Sequence, residues 1–266
     1  MNTIALCAIF KNEAPYLLEW VAFHRMIGVD HFVLYDNGSD DGGSDRLRRS
    51  RLADHVTLID WPDRPGQYSA YSDFVAHHAK SYTWVGFIDL DEFIHPLTEN
   101  SLRSLLDHPR YTGFSAVLMH WAVFGPSGHT RRPEDLVTAS YTRRVQLHDE
   151  VNTHVKSIVR TADLLGVGQN PHVFQTSGPS CDATGKAVPT IPLQETACHE
   201  TLILNHYFTR SREDWDAKTK RGRADAADDN EAAQYRAEVF ATVAGNASIE
   251  DSRITRFVPR LRWVMR

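Results

Sequence analysis

The stretch Thr83-Trp84-Val85-Gly86-Phe87-Ile88-Asp89-Leu90-Asp91-Glu92-Phe93 constrains this chain more than any other. An apolar run of strand composition ends in Asp-Leu-Asp, with Glu and Phe after it. A strand delivers its last residues to one sheet edge, and its period of two puts Asp89 and Asp91 on one side with Leu90 on the other. Two carboxylates held that close repel unless positive charge sits between them, and Asp oxygens suit Mg²⁺ or Mn²⁺. Such an ion at a strand end is a common device for holding nucleotide phosphates. The plainer alternative is a solvated turn after a buried strand.

The segments before it supply a context. Residues Thr3 to Phe10 read as a buried strand, and a helix opens near Pro15, where a missing N–H costs nothing. Strands follow at His31 to Tyr35 and Val56 to Trp61, with helices expected around Ser44 to Arg51 and Ser69 to Tyr82. Strand–helix alternation of this kind indicates an α/β fold, with a mostly parallel central sheet and helices on both faces. Ligands in such sheets bind at the carboxyl ends of the strands. Lys11-Asn12-Glu13, Asp36-Asn37 and Asp89/Asp91 all fall at strand carboxyl ends and should converge. The second half reads as short strand-like pieces at Phe114 to Met119, Ser140 to Leu147, His154 to Val159 and Thr201 to Phe208, then helices over Glu213 to Gly222 and Asp228 to Val243.

With 266 residues the chain can bury one large α/β domain or two small ones. A net charge of −5 argues against nucleic acid as the main partner. Three cysteines without metal-type spacing suggest reduced thiols and a reducing compartment. No signal peptide or membrane-spanning window is visible, so a cytoplasmic location is expected. The tail from Arg253 to Arg266 mixes five Arg with Ile, Phe, Val, Leu and Trp. It could lie peripherally on an anionic membrane surface or pack on its own domain.

Several short pieces, in this order and spacing, carry a resemblance. They are Lys11-Asn12-Glu13 with Tyr16-Leu17-Leu18-Glu19-Trp20, Tyr35-Asp36-Asn37 with Ser39 and Asp41, Asp89-Leu90-Asp91-Glu92-Phe93, and His154 to Arg160. Asn170-Pro171-His172, Leu204-Asn205-His206-Tyr207, Arg210-Ser211 and Lys220-Arg221-Gly222 complete the set. Over nearly its whole length the chain resembles bacterial glycosyltransferases of the family-2-like group related to family 92, with a GT-A (nucleotide-diphospho-sugar transferase, Rossmann-like) fold. The resemblance implies a nucleotide-sugar donor, with UDP as the expected nucleotide, Mn²⁺ or Mg²⁺, and sugar transfer to an acceptor hydroxyl of a glycan or glycolipid, with inversion. Surface polysaccharide assembly is the natural setting. It divides the chain into a donor-binding half over 1–95, an acceptor-binding half over 96–212 and a C-terminal helical extension over 213–266.

Site residues follow from the chemistry and the resemblance together. The leaving nucleoside diphosphate is an anion, so the site must neutralise charge growing on it. Asp89 and Asp91 are the metal ligands, and the resemblance adds His206 from the C-terminal half; a core histidine is the alternative there. Asn12, Glu13, Asp36 and Asn37 are assigned to the nucleoside, with loop capping as the alternative for Asp36. Lys156, Arg210 and Arg221 are the cations for the diphosphate. Acceptor contacts are expected from His120 and Trp121, the latter as a stacking platform unless it is core. An inverting transferase also needs a base. Asp149, Glu150, Asp182 and Glu195 are the candidates, with Ala139-Ser140 standing where relatives carry an acid. A nucleotidyltransferase, or a catalytically silent nucleotide-sugar-binding module, would share much of this pattern. The former would favour a Gly-rich loop after the first strand, which Lys11-Asn12-Glu13 lacks.

Overall fold

The structure of the protein, a computed structural model, describes residues 2–221 and 233–265. In chain order the strands are β1 (Ile4–Phe10), β2 (His31–Asp36), β3 (Val56–Asp60), β4 (Trp84–Phe87), β5 (Glu92–Pro96), β6 (Ala116–Val123), β7 (Arg143–Arg144), β8 (Val155–Arg160), β9 (Leu164–Val167), β10 (Phe174–Thr176), β11 (Ser180–Cys181), β12 (Ala187–Val188), β13 (Leu202–His206) and β14 (Ile249–Glu250). The helices are α1 (Leu17–Met26), α2 (Gly43–Arg48), α3 (Gln67–His77), α4 (Leu102–Leu106), α5 (Val137–Ser140), α6 (Arg212–Arg221), α7 (Ala233–Asn246) and α8 (Val258–Val264).

Ten strands form one mixed sheet whose main path runs β12-β11-β6-β8-β4-β1-β2-β3. Strands β4, β1, β2 and β3 are mutually parallel, and β8 lies antiparallel between β4 and β6. This is the α/β, mostly parallel architecture expected from the alternation. β1 shows why it forms. Ile4, Leu6, Ala8 and Phe10 enter one core with Trp20 and Phe23 of α1. Ala5, Cys7 and Ile9 enter the opposite core with Tyr71 and Phe74 of α3. A strand covered on both faces reads as a continuous apolar run, and each fully buried Leu or Phe contributes roughly 1.5–3 kcal/mol. Cys7, Cys181 and Cys198 are free thiols.

Three local expectations change. The strand that was to carry Asp89 and Asp91 ends at Phe87, and the acids sit in the turn before β5. Ile88 N still donates to Cys7 O at 3.3 Å, but Asp89 N donates to the Glu92 side chain at 2.9 Å and Glu92 N to Asp89 O at 3.1 Å. That local closure competes with the ladder and turns the chain into β5, which pairs antiparallel with β13. The strand expected at Ser140 to Leu147 shrinks to β7, because the preceding residues form the helical turn α5. Its Val137 and Thr138 N–H groups donate to the buried Glu19 carboxylate at 2.7 and 3.0 Å. The third concerns the last helix expected from the sequence, at Asp228 to Val243. It is described from Ala233 as α7, while 228–232 and Gly222 lie outside the described residues.

The basic tail packs on its own domain: Ile254, Val258 and Leu261 are buried, and Phe257 meets Phe23 edge-on at 5.6 Å. Among the described residues no helix is long and apolar enough to cross a membrane.

Candidate active site

A cleft of about 990 Å³ opens at the carboxyl ends of β1, β2 and β4. Its walls take Phe10, Lys11 and Glu13 after β1, Asn37 after β2, Asp89 and Asp91 after β4, His206 from β13, and Lys218 and Arg221 from α6. The topology thus converges most of the segments that the resemblance singled out.

The Asp-Leu-Asp-Glu turn is held from below. Trp20 Nε1 donates to Asp89 O at 3.1 Å and to Glu92 O at 2.8 Å. His24 donates from Nδ1 to Trp20 O at 2.8 Å and accepts at Nε2 from Ile94 N at 3.1 Å, which fixes a neutral ring. Burial pushes its pKa down to about 3. The Glu-Trp pair of α1 therefore braces two segments, Glu19 holding α5 and Trp20 the acidic turn.

Glu13, Asp89 and Asp91 each already meet a cation. Asp91 Oδ2 accepts from Lys218 Nζ at 2.6 Å, and its Oδ1 lies 3.6 Å from His206 Nε2. Burial alone would raise the Asp91 pKa, but Lys218 and His206 outweigh it and hold it well below the usual range. Burial lowers His206, against the pull of Asp91, and among the described residues its Nδ1 has no hydrogen-bond partner. Asp89 Oδ2 accepts from Lys156 Nζ at 2.8 Å, and Lys156 is 3.7 Å from Glu92. Burial pulls Lys156 down, yet these two acids keep it above its ordinary value. Glu92 has no exposed surface; burial first, then Asp89 and Asp91, push it up to about 8 against Lys156. Glu13 pairs with Arg210 at 2.7 Å and Arg221 at 2.5 Å, which offset burial and lower its pKa.

A divalent cation can be tested against this donor set. Among the described residues no three His, Cys, Asp or Glu side chains converge in metal-binding geometry. Asp91 and His206 alone present an oxygen and a nitrogen at 3.6 Å, near the roughly 3 Å edge implied by metal–ligand distances of about 2.1 Å. Mg²⁺ is characteristically held by one or two carboxylates and takes the rest from substrate phosphates and water. The pair fits such a partial site. Asp89 is turned to Lys156 instead.

Several expected roles are not what the geometry provides. Asp36 does not line the cleft; its Oδ1 accepts from Ser39 N at 2.8 Å and its Oδ2 from the Ser44 hydroxyl, so it caps the loop after β2. Asn37 does line it, with Nδ2 donating to Trp61 O and Asp63 O. Asn12 adopts φ 54°, and its Oδ1 accepts from Asp40 N. Lys156 is fully buried with its ammonium between Asp89 and Glu92, and it does not line the cleft where a diphosphate would lie. Arg210 is buried over the Tyr16 ring at 3.7 Å and lines only a small adjoining pocket. Trp121 lines the cleft, but its ring already stacks on His154 at 4.7 Å and meets His206 at 4.4 Å, so its face towards His154 is not open to a sugar. His120, next to it on β6, points to the other side of the strand. None of Asp149, Glu150, Asp182 and Glu195 lines the cleft. Asp149 caps the turn at Val151, Asp182 accepts three local hydrogen bonds, and Glu150 and Glu195 are exposed.

Lys218 was missed from the sequence, although it stands one helical turn before Arg221 on α6 and so shares its face. Gln67 and Tyr68, at the start of α3, were also missed; Gln67 Nε2 is 3.4 Å from Asp89 Oδ1.

The profile of Glycosyltransferase family 92 matches residues 2–224. A family 92 protein of Oryza sativa subsp. japonica is 32% identical over 177 residues, covering 65% of this chain and 30% of its own length. One from Ricinus communis is 29% identical over 214 residues, covering 77% and 34%. The chain thus spans about a third of the length of these relatives, which are plant proteins where the sequence resemblance pointed to bacterial ones. Among solved structures, Staphylococcus aureus TarS 1-349 in complex with UDP overlaps at a TM-score of 0.41 with 13% identity, covering 60% of this chain and 47% of that one. Glucosyl-3-phosphoglycerate synthase from Mycobacterium tuberculosis, in complex with Mg²⁺ and UDP, overlaps at 0.33 with 23% identity, covering 45% and 44%. With its profile matched across most of its length, the chain belongs to glycosyltransferase family 92.

Proposed function

We propose that the cleft binds a nucleotide-diphosphate sugar, with UDP as the nucleotide, and that the chain transfers the sugar with inversion to an acceptor hydroxyl of a glycan or glycolipid. The observation that carries this reading is the charge arrangement at the strand ends: Asp91 on the floor, with His206 beside it and Lys218 and Arg221 on one helix face above. A departing diphosphate needs preorganised positive charge, and a site built from fixed cations supplies it without reorganisation. Lys218 and Arg221 take the diphosphate, while Lys11, Asn37 and Tyr68 line the nucleoside end.

Asp91 and His206 would hold Mn²⁺ or Mg²⁺, which when bound neutralises charge on the diphosphate. Asp89 serves this site indirectly, fixed by Lys156 and Gln67 so that the turn presents Asp91. Arg210 acts behind the site: it donates to Glu13 and to Leu90 O at 3.0 Å, tying the loop after β1 to the acidic turn. The chain divides into a donor-binding half over 1–95, an acceptor-binding half over 96–212 and a C-terminal extension over 213–266.

The test is incubation with Mn²⁺ or Mg²⁺ and a panel of nucleotide sugars, followed by assay for free nucleoside diphosphate, since transferases slowly hydrolyse their donors. Release from one UDP-sugar, lost in Asp91→Asn, supports the reading. No release from any donor, together with no UDP binding, refutes it.

A further inference from the structure

We infer that His154 is the general base that takes the proton from the acceptor hydroxyl, an inference that rests on the transferase reading above. An inverting displacement needs a group with a free lone pair facing the acceptor side of the cleft. Three carboxylates of the floor do not qualify. Glu13 is paired with Arg210 and Arg221, Asp89 with Lys156, and Asp91 with Lys218, so each lone pair is already drawn to a cation. Two of the cleft imidazoles are also unsuited. His206 Nε2 faces Asp91, and burial together with Lys156 pushes the His172 pKa down to about 2.

His154 differs in geometry. Its Nδ1 lies 3.0 Å from Val151 O, and since a carbonyl can only accept, Nδ1 carries the hydrogen. The neutral ring then has its lone pair on Nε2, and that nitrogen makes no hydrogen bond to any described residue. The ring is clamped by stacking on Trp121, at 4.7 Å between centroids and 13° between planes. Trp121 is itself fixed, its Nε1 donating to Glu92 Oε1 at 2.7 Å, and Glu92 is fully buried. A buried carboxyl thus orients an indole, and the indole orients an imidazole. His154 and Trp121 line the same cleft as His206, whose ring lies 4.4 Å from that of Trp121. This places the base beside the proposed diphosphate site without contact to its cations.

The step balances as follows. The acceptor oxygen forms a bond to the anomeric carbon as the bond from that carbon to the β-phosphate oxygen breaks. The bonding pair leaves with the nucleoside diphosphate. The hydroxyl proton passes to His154 Nε2 and is later released to water. The Nδ1–H to Val151 O bond persists throughout, so the ring need not move.

The experiment uses the UDP-sugar that the wild-type chain hydrolyses fastest, with water as acceptor. His154→Gln and His154→Asn are compared for diphosphate release, for UDP affinity by calorimetry and for rescue by sodium azide. Azide attacks the anomeric carbon without a proton to lose, so it bypasses a missing base. Release should fall about 10²–10⁴-fold, UDP affinity should stay within about twofold, and azide should restore turnover with a glycosyl azide of inverted configuration. Either variant alone suffices if the other fails to fold. Release within about threefold of wild type overturns the inference. So does loss without azide rescue, or a product of retained configuration. A wild-type chain that binds no UDP and releases none fails earlier, at the transferase reading itself.

Discussion

Lys156→Met is the substitution whose outcome the structure sizes most directly. Lys156 has no exposed surface, and its ammonium lies 2.8 Å from Asp89 and 3.7 Å from Glu92. Methionine fills similar volume but removes the charge. Breaking a buried ion pair by deleting one partner costs about 3–5 kcal/mol, because the other charge stays behind. Two features set the loss towards the lower end. Asp89 is 36% exposed and can turn to water, and Glu92, pushed up to about 8, can remain protonated at neutral pH. An unfolding entropy of about 2.1 cal/mol/K per residue gives roughly 0.56 kcal/mol/K for a chain of this size. A loss of about 3 kcal/mol therefore lowers Tm by about 5 °C. Calorimetric melts of the two proteins at pH 7 make the comparison. A Tm within 2 °C of wild type would show that the ammonium does not compensate the acids, and the account of Asp89 as an indirectly acting residue would fall with it.

Four further outcomes follow from the same contacts. Asp91→Asn should abolish diphosphate release while Tm changes little, since Lys218 can swing to water; release within about threefold of wild type at low Mn²⁺ would remove Asp91 from the site. Asp36→Ala should lower stability by about 1–2 kcal/mol, the cost of a lost cap, and leave UDP affinity unchanged in calorimetry; a selective loss of affinity would return it to the nucleoside. Glu92→Gln should flatten the pH dependence of stability. The folded-state pKa of Glu92 is raised from 4.5 to about 8, so the folded state binds the extra proton between these values, and its stability falls as pH rises through them; equal slopes for variant and wild type in urea titrations across that range would contradict this. His206→Ala should weaken Mn²⁺ binding measured with UDP present by electron paramagnetic resonance; unchanged Mn²⁺ affinity with a lowered Tm would make it a core histidine.

The sheet was legible because burial on two faces leaves an unbroken apolar run. Thr3 to Phe10 and His31 to Tyr35 could be read without knowing what covered them. The strand before Asp89 was overextended for a specific reason. Apolar patterning records burial, and Ile88 and Leu90 are buried although they stand in a turn. What closes that turn is a side-chain acceptor, Glu92 to Asp89 N, and hydrophobic period carries no sign of it. The same blindness affected Ser140 to Leu147, where the acceptor that stabilises a helical turn comes from Glu19, more than a hundred residues away.

Site residues divide along the same line. Position at a strand end is a backbone property, and it brought Glu13, Asn37, Asp89 and Asp91 to the cleft. Partner choice is a property of side-chain geometry, and it decided which of them face a ligand. Asp36 and Asp91 have the same side chain at comparable strand ends. Asp36 meets Ser39 and Ser44 in its own loop, whereas Asp91 meets Lys218 from a helix far along the chain. A carboxylate satisfied by neutral local donors has its capacity used up by the fold. One held by a partly exposed ammonium, at 32%, can exchange that cation for another. The resemblance picked out both residues. Only the identity of the donor separates them, and that is why Asp91 and not Asp36 is the residue whose charge the proposed chemistry requires.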